Sequence, residues 1–416
     1  MLSLYNVPKM KPLLTLLKTD PAQIDSLSIE QVVALCGNGK LSDNSDCSVD
    51  LREYLQIAKS ENLRKYVQAC LQSSFERSGF VLQDVVNEFG RRLDYTVENG
   101  LYQGKSNAVG FDGLWFDSGG HSIVAEVKTT DAYRINLDTV TRYREALIAA
   151  GKLTQESSVL IVVGRQDTGD LEAQVRGSKH AWTVRLISAD ALAKLVSLKE
   201  NSDLDSVGKI HELLIPFEYT KLDKIIEIAF TVAEDATTAL KEEQAEDSDA
   251  LPSGQDAEVK QHHTSPELIS ELRSSILESL SHAYAPLVKK SRALYWSTDK
   301  TLRAAVTISK HYLEGEGGYW YAYHSDWDKF LSEATQGLYV LGCIGRDEAY
   351  ALPYQWIHSR IKHLSVTERE EKSHWHILLY PAPSGGLALR LNNGQNESLD
   401  DFKIALGRPS VASSAN

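Results

Sequence analysis

Little in the sequence ties it to a membrane, to a cysteine-bound metal or to the outside of a cell. No apolar run in the 416 residues approaches the roughly 20 that a membrane-spanning helix needs. The four cysteines, Cys36, Cys47, Cys70 and Cys343, are scattered and form no CxxC pair. That spacing excludes a cysteine zinc site and fits a reducing cytoplasm. The opening MLSLYNVPKMKPLLTLLKTD lacks the sustained apolar core of a secretory signal, so a cytoplasmic protein is expected. No internal repeat is visible. Basic residues are in the minority, 44 against 57 acidic, for a net charge of −13. Taken alone, that argues against nucleic acid as a partner. Yet nine acids and one lysine lie between Glu234 and Glu258, a local charge of −8 that leaves −5 for everything else. Only a local basic patch has to face a phosphate backbone, so the acidity is no veto.

What is present reads as a soluble chain of two or three domains, with ordinary hydrophobic (42%) and charged (24%) content. Residues 1–78 read as a helical N-terminal region. Ser28-Ile-Glu-Gln31 is a capping box opening a short helix that stops near Gly37. Asn62–Ser78 sets Leu63, Tyr66, Val67, Cys70, Leu71 and Phe75 on one helical face, with Gly79 as its C′ residue. A domain over 79–200 follows. Phe80–Leu93 is an amphipathic helix with Leu82, Val85, Val86, Phe89 and Leu93 inward and Gln83, Asp84, Asn87, Glu88, Arg91 and Arg92 on its polar face. A short strand at Asp94–Glu98, a hairpin within Asn107–Lys128, a helix at Asp138–Ala150 and a strand at Ser158–Val163 come next. Thr168–Lys179 reads as a helix, Trp182–Ile187 as a strand and Ala189–Leu198 as a helix. The order is α-β-β-β-α-β-α-β-α, an α/β fold in which helices flank a mixed sheet. Residues 201–264 hold a helical extension, the unplaced apolar stretch Ile225–Val232 and the acidic linker. Residues 265–416 read as a separate β-rich α+β domain, opened by Ser265-Pro266 as N-cap and N1 and ending in a tail.

The hairpin carries the chemistry. One strand runs through Val109, Phe111, Leu114, Trp115 and Phe116, and Asp117-Ser118-Gly119-Gly120 supplies the turn. The second, Ile123–Val127, is apolar enough to be covered on both faces. Glu126 and Lys128 interrupt it two residues apart, so the strand's period points both side chains to one face. Burying such a pair is costly unless the two groups bind each other or something else. Asp112 on the neighbouring strand reaches the same spot.

Asp112, thirteen residues and then Glu126-Val-Lys128 form the pattern D-x(13)-E-x-K. It resembles the PD-(D/E)xK phosphodiesterase superfamily, which includes many restriction endonucleases and the Mrr-like group. The likeness covers about a third of the chain, and Phe111 stands where the family name has proline. It implies a restriction-endonuclease-like sheet in which Asp112 and Glu126 hold Mg²⁺, with Mn²⁺ as the alternative. Hard cations prefer such oxygen ligands. Lys128 would orient the attacking water or stabilise developing charge. Many members add an acidic residue from the first helix; Glu88 is the candidate here and Gln83 the alternative.

Further contacts to DNA are expected from Gln83, from Thr129, Thr130 and Tyr133, and from Arg165, Gln174, Arg176 and Lys179 in the polar stretch RQDTGDLEAQVRGSK. In the C-terminal domain, GGYWYAYHSDW (Gly317–Trp327) is either an aromatic core strand or a surface for stacking bases. The expectation is a metal-dependent DNA endonuclease of restriction or defence, working as a homodimer or higher oligomer on double-stranded DNA. A protein partner for the C-terminal domain is also open. The alternatives are a nuclease-fold protein of repair, recombination or transposition, and a DNA-binding module without turnover.

Overall fold

The computed structural model describes residues 13, 16, 21–72, 75–103, 109–129, 135–164, 169–201, 206–216, 266–312, 317–367 and 373–406. The chain is a mixed α/β protein in two structural units, Met1–Ala233 and Glu234–Asn416. Ile225–Val232, the acidic linker and Ser265 lie outside the described residues.

The first unit begins with helices α1 (Pro21–Asp25), α2 (Ile29–Leu35), α3 (Asp46–Ile57) and α4 (Ser60–Gln72). The capping box is there as read: the Gln31 N–H donates to Ser28 Oγ at 3.3 Å, and the Ser28 N–H to Gln31 Oε1 at 2.9 Å. Helix α5 (Ser78–Arg92) starts one turn earlier than its apolar stripe suggests. That corrects the reading of Gly79, which lies inside α5 rather than closing α4. The chain reverses instead at Arg77, in the left-handed region with φ 67°.

A second correction concerns the polar side of α5. It faces protein, covered in part by the N-terminal helices and in part by the start of β2, and Gln83, Asp84, Asn87, Glu88 and Arg92 are all buried. Each has partners, as buried polar groups require. Asp84 accepts from Arg52 Nε at 2.9 Å and from the Tyr102 hydroxyl. Burial raises its carboxyl above the ordinary range, with Arg52 opposing the shift.

The sheet follows in the order β1-β2-β3-β4-β5: β1 (Thr96–Asn99), β2 (Gly113–Phe116), β3 (Ser122–Lys128), β4 (Ser157–Val163) and β5 (Val184–Ser188). β1, β2 and β3 pair antiparallel. β3, β4 and β5 pair parallel, with the crossovers containing α6 (Leu137–Ala149) and α7 (Gly169–Arg176). Helices α8 (Ala189–Asn201) and α9 (Ser206–Leu214) complete the unit. Alternation along the strands builds a core on each face. Trp115, Ile123, Ala125, Leu160 and Val162 pack with α5, α8 and the N-terminal helices. Leu114, Val124, Val159, Ile161 and Val163 pack with Leu137, Val140 and Leu147 of α6. Trp182, read as a strand residue, lies before β5 and is 63% exposed.

The second unit opens with α10 (Pro266–Ala283). Strands β6 (Leu287–Lys289), β7 (Leu294–Ser297), β8 (Leu302–Ser309), β10 (Gln336–Cys343), β11 (Glu348–Pro353) and β16 (Lys403–Ala405) form one sheet, ordered β16-β11-β10-β8-β7-β6. β9 (Tyr319–His324) leaves that sheet and pairs with β13 (His374–Pro381), beside β12 (Val366–Thr367), β14 (Leu387–Arg390) and β15 (Asn396–Ser398). Helix α11 (Ser325–Ser332) lies between β9 and β10 in sequence. The aromatic stretch is a core strand. Tyr319, Trp320, Tyr321 and Tyr323 are buried, and the Tyr321 hydroxyl donates to the Gly342 carbonyl at 3.0 Å.

All four cysteines are buried and free. Among the described residues no helix is long and apolar enough to cross a membrane.

Candidate active site

The site is assembled where β2 begins and β3 ends. Extending the register Gly113↔Ala125 by one residue sets Asp112 opposite Glu126. On β3, Ile123 and Ala125 point into the core under α5, whereas Val124 points toward α6. Glu126 and Lys128 continue the Val124 face by strand alternation. Glu126 is 9% exposed, and the Lys128 side chain emerges to 37%. Lys128 Nζ lies 2.5 Å from Glu126 Oε1, and the Val127 N–H donates to Asp112 Oδ2 at 2.6 Å.

The electrostatics follow from this crowding. Burial, then the charge of Glu126, pushes the Asp112 carboxyl up from 3.8 to about 7, against the pull of the Val127 N–H and Lys128. Burial would lower Lys128, but the Glu126 carboxylate beside it outweighs that and holds the ammonium above the ordinary lysine value.

Helix α5 secures Asp112 from behind. Asn87 Nδ2 and Gln83 Nε2, one turn apart, donate to the Asp112 main-chain oxygen at 2.8 and 3.1 Å. The Gly100 N–H donates to the same oxygen at 2.9 Å. Asn87 Oδ1 in turn accepts from Trp115 Nε1 at 2.9 Å. This approach is why residue 113 is glycine: a Cβ there would stand 2.0 Å from Asn87 Oδ1.

Glu88 does not join this cluster. It points with Arg92 toward the N-terminal helices, and Arg92 Nε lies 2.9 Å from its Oε1, while Arg91 turns to Asn99 of β1 at 2.9 Å. Burial raises its carboxyl, with Arg92 and then Arg91 opposing. Arg92 also donates to the carbonyls of Leu55, Gln56 and Ala58. The helix-face argument put these polar residues on one face and favoured Glu88, which instead ties the helical layer together. Of the two first-helix candidates, Gln83 is the one that touches Asp112.

Thr129 sits half-buried just past β3. Thr130, Tyr133 and Arg165 lie outside the described residues. Gln174 has both ends of its amide on Ile135, donating to its carbonyl at 2.6 Å and accepting from its N–H at 3.2 Å. That is a packing role at the start of α6. Arg176 pairs with Glu172 at 2.9 Å. Lys179 is largely exposed and lies 3.3 Å from Asp138, which also bonds His180 at 2.6 Å. Gln174, Lys179, Asp138 and His180 line a cavity of about 480 Å³ with Asn136 and Ser178.

The sequence reading missed Asn87 as a partner of Asp112. Its signal was the i, i+4 spacing from Gln83. It missed the Asp138–His180 pair altogether, since those residues are far apart in the chain.

Among the described residues no three His, Cys, Asp or Glu side chains gather as a metal cluster; the candidate site is a two-carboxylate one. No protein-family profile matches this chain, and no curated protein shows significant similarity to it.

Proposed function

We propose that the first unit is a restriction-endonuclease-like domain of the PD-(D/E)xK type, and that it hydrolyses phosphodiester bonds of double-stranded DNA in a metal-dependent reaction. Restriction or defence against foreign DNA is the role this reading favours. The observation that carries it is the meeting of Asp112 and Glu126 across adjacent strands, with Lys128 on the same face 2.5 Å from Glu126.

The donor set fits a hard divalent cation. A buried and a half-buried carboxylate supply oxygen ligands, and the Glu126 charge, which adds to burial in pushing Asp112 up to about 7, is what a cation between them would offset. Mg²⁺, or Mn²⁺ in its place, would polarise the scissile phosphate and lower the pKa of a bound water. Asp112 and Glu126 would hold the cation, both as carboxylates. The half-exposed Lys128 ammonium stays charged, orients the attacking water and stabilises the negative charge that grows on the phosphate. Gln83 and Asn87 fix the Asp112 backbone, so the carboxylate needs no reorganisation. One such site cuts one strand, so a double-strand break calls for two copies.

The test is conversion of supercoiled plasmid in Mg²⁺ by the intact chain, by Asp112→Ala and by Lys128→Ala. The parent alone is expected to nick and linearise the plasmid. Nicking by the variants at the parent's rate would overturn the assignment.

A further inference from the structure

The stripe of α6 that covers the sheet carries one polar tip. Val140 and Leu147 are buried in the cluster of Val124, Val159 and Ile161. Tyr143 lies three residues after the first and four before the second, so it shares their face of the helix. Unlike them it is only half-buried. Among the described residues none hydrogen-bonds its hydroxyl.

That hydroxyl stands at the mouth of the candidate site. Gly110 leads into Asp112, and a Cβ built on it would meet Tyr143 Cζ at 3.4 Å and Oη at 3.5 Å. With glycine there, no side chain caps the hydroxyl beside the strand end that bears Asp112. The strand face of Val124 is the one that α6 covers, and Glu126 and Lys128 continue it. Tyr143 also lies within electrostatic reach of Lys128: burial lowers the ammonium, and Glu126, then Asp112 and Tyr143, hold it up.

The donor inventory of the site gives this placement its meaning. Asp112 and Glu126 as carboxylates can only accept. Lys128 is paired with Glu126 at 2.5 Å. Gln83 and Asn87 donate to the Asp112 main-chain oxygen. An anionic oxygen entering the site needs a donor that the protein has not already used, and the Tyr143 hydroxyl is one.

We propose that Tyr143 contacts the DNA at this site, its hydroxyl donating to a non-bridging oxygen of the backbone phosphate that lies over Asp112, Glu126 and Lys128. The inference rests on the phosphodiesterase reading of the first unit and adds to it a group that seats the substrate. The contact is uncharged, so it orients the phosphate without adding to the salt-dependent part of binding.

The test compares Tyr143→Phe with the parent, both as full chains. The change keeps the ring on the α6 stripe and removes one oxygen, so the urea midpoint is expected to stay at the parent's value. Binding is read apart from cleavage, by anisotropy of a fluorescein-labelled duplex of about 20 base pairs in EDTA between about 50 and 200 mM salt. Tyr143→Phe is expected to bind about three- to tenfold more weakly, the scale of one hydrogen bond, with an unchanged salt slope. Single-turnover cleavage of the same duplex in Mg²⁺ is expected to slow at least about tenfold, the scale of a hydrogen bond to a charged group. Binding within about twofold of the parent together with an unchanged cleavage rate would overturn the proposal and leave the nuclease reading in place. A lowered urea midpoint with parent-like binding and cleavage per folded molecule would also overturn it, since Tyr143 would then be a packing residue. Weaker binding by Tyr143→Phe in a chain that cuts nothing would keep the DNA contact and remove the nuclease reading.

Discussion

Replacing Glu88 decides which side of α5 serves the site. Its carboxylate is 3% exposed, the Arg92 side chain 4%, and the pair is 2.9 Å apart. Arg91 adds a weaker contact at 3.4 Å. Breaking a buried pair by removing one partner strands the other charge and costs about 3–5 kcal/mol. Glu88→Ala is therefore expected to lower the urea midpoint steeply. Glu88→Gln keeps an acceptor for Arg92 but not the charge, for a cost of about 2–3 kcal/mol. Equilibrium urea denaturation reads both. Mg²⁺-dependent cleavage, measured well below the unfolding transition and scaled to folded protein, is expected to match the parent for Glu88→Gln. A Glu88→Gln protein with the parent's urea midpoint and no cleavage would refute the reasoning and return Glu88 to the metal.

Asp112→Asn in metal-free buffer is expected to stabilise the fold. A carboxyl whose value rises from 3.8 to about 7 on folding costs stability, and the cost grows as pH climbs between those values and is full above 7. At about 1.4 kcal/mol per unit, shared with Glu126, the gain is about 2 kcal/mol at pH 8 and vanishes toward pH 4; equal urea midpoints at pH 8 would sink this. Gly113→Ala, which drives a Cβ to 2.0 Å from Asn87 Oδ1, is expected to cost about 1–3 kcal/mol, and an unchanged melting temperature would contradict the packing described. In the second unit, Tyr339→Phe removes a buried hydroxyl donating to the Ala322 carbonyl at 3.0 Å. A loss of about 1 kcal/mol is expected, read from the same urea titration as a shifted midpoint.

The element order of the first unit was readable because its strands are short apolar runs and its helices carry an apolar stripe. Ile123–Val127 declared itself buried by composition, and Glu126 and Lys128 stood out against it. Asp112 could be paired with them only through the turn between, because that turn fixes the hairpin register. What stayed hidden depends on long-range contact. Nothing local in Gln83-Asp-Val-Val-Asn87-Glu88 says that both polar directions of the helix are buried, or that one meets Asp112 and the other Arg92. Strand order in the second unit was hidden for the same reason. β8 pairs parallel with β10 while β9, between them in sequence, joins another sheet. The sequence suggests strands at Ala304–His311, Tyr319–His324, Gly337–Ile344, His374–Tyr380 and Gly386–Leu391, which match β8, β9, β10, β13 and β14. β6, β7, β11, β12, β15 and β16 were not anticipated, their short runs carrying no clear alternation to mark them. Trp182 read as part of a strand because it is aromatic and precedes one, yet it stands in solvent.

The central claim is that Asp112, Glu126 and Lys128 form one metal-dependent phosphodiesterase site. Single-turnover cleavage of an end-labelled DNA duplex, with and without Mg²⁺, addresses it most directly. The account predicts cleavage by the parent only with the cation, and a loss of at least about a hundredfold in rate for Lys128→Ala, on the scale of one removed charge-stabilising group. Cleavage in EDTA, or a Lys128→Ala protein as fast as its parent, would contradict it.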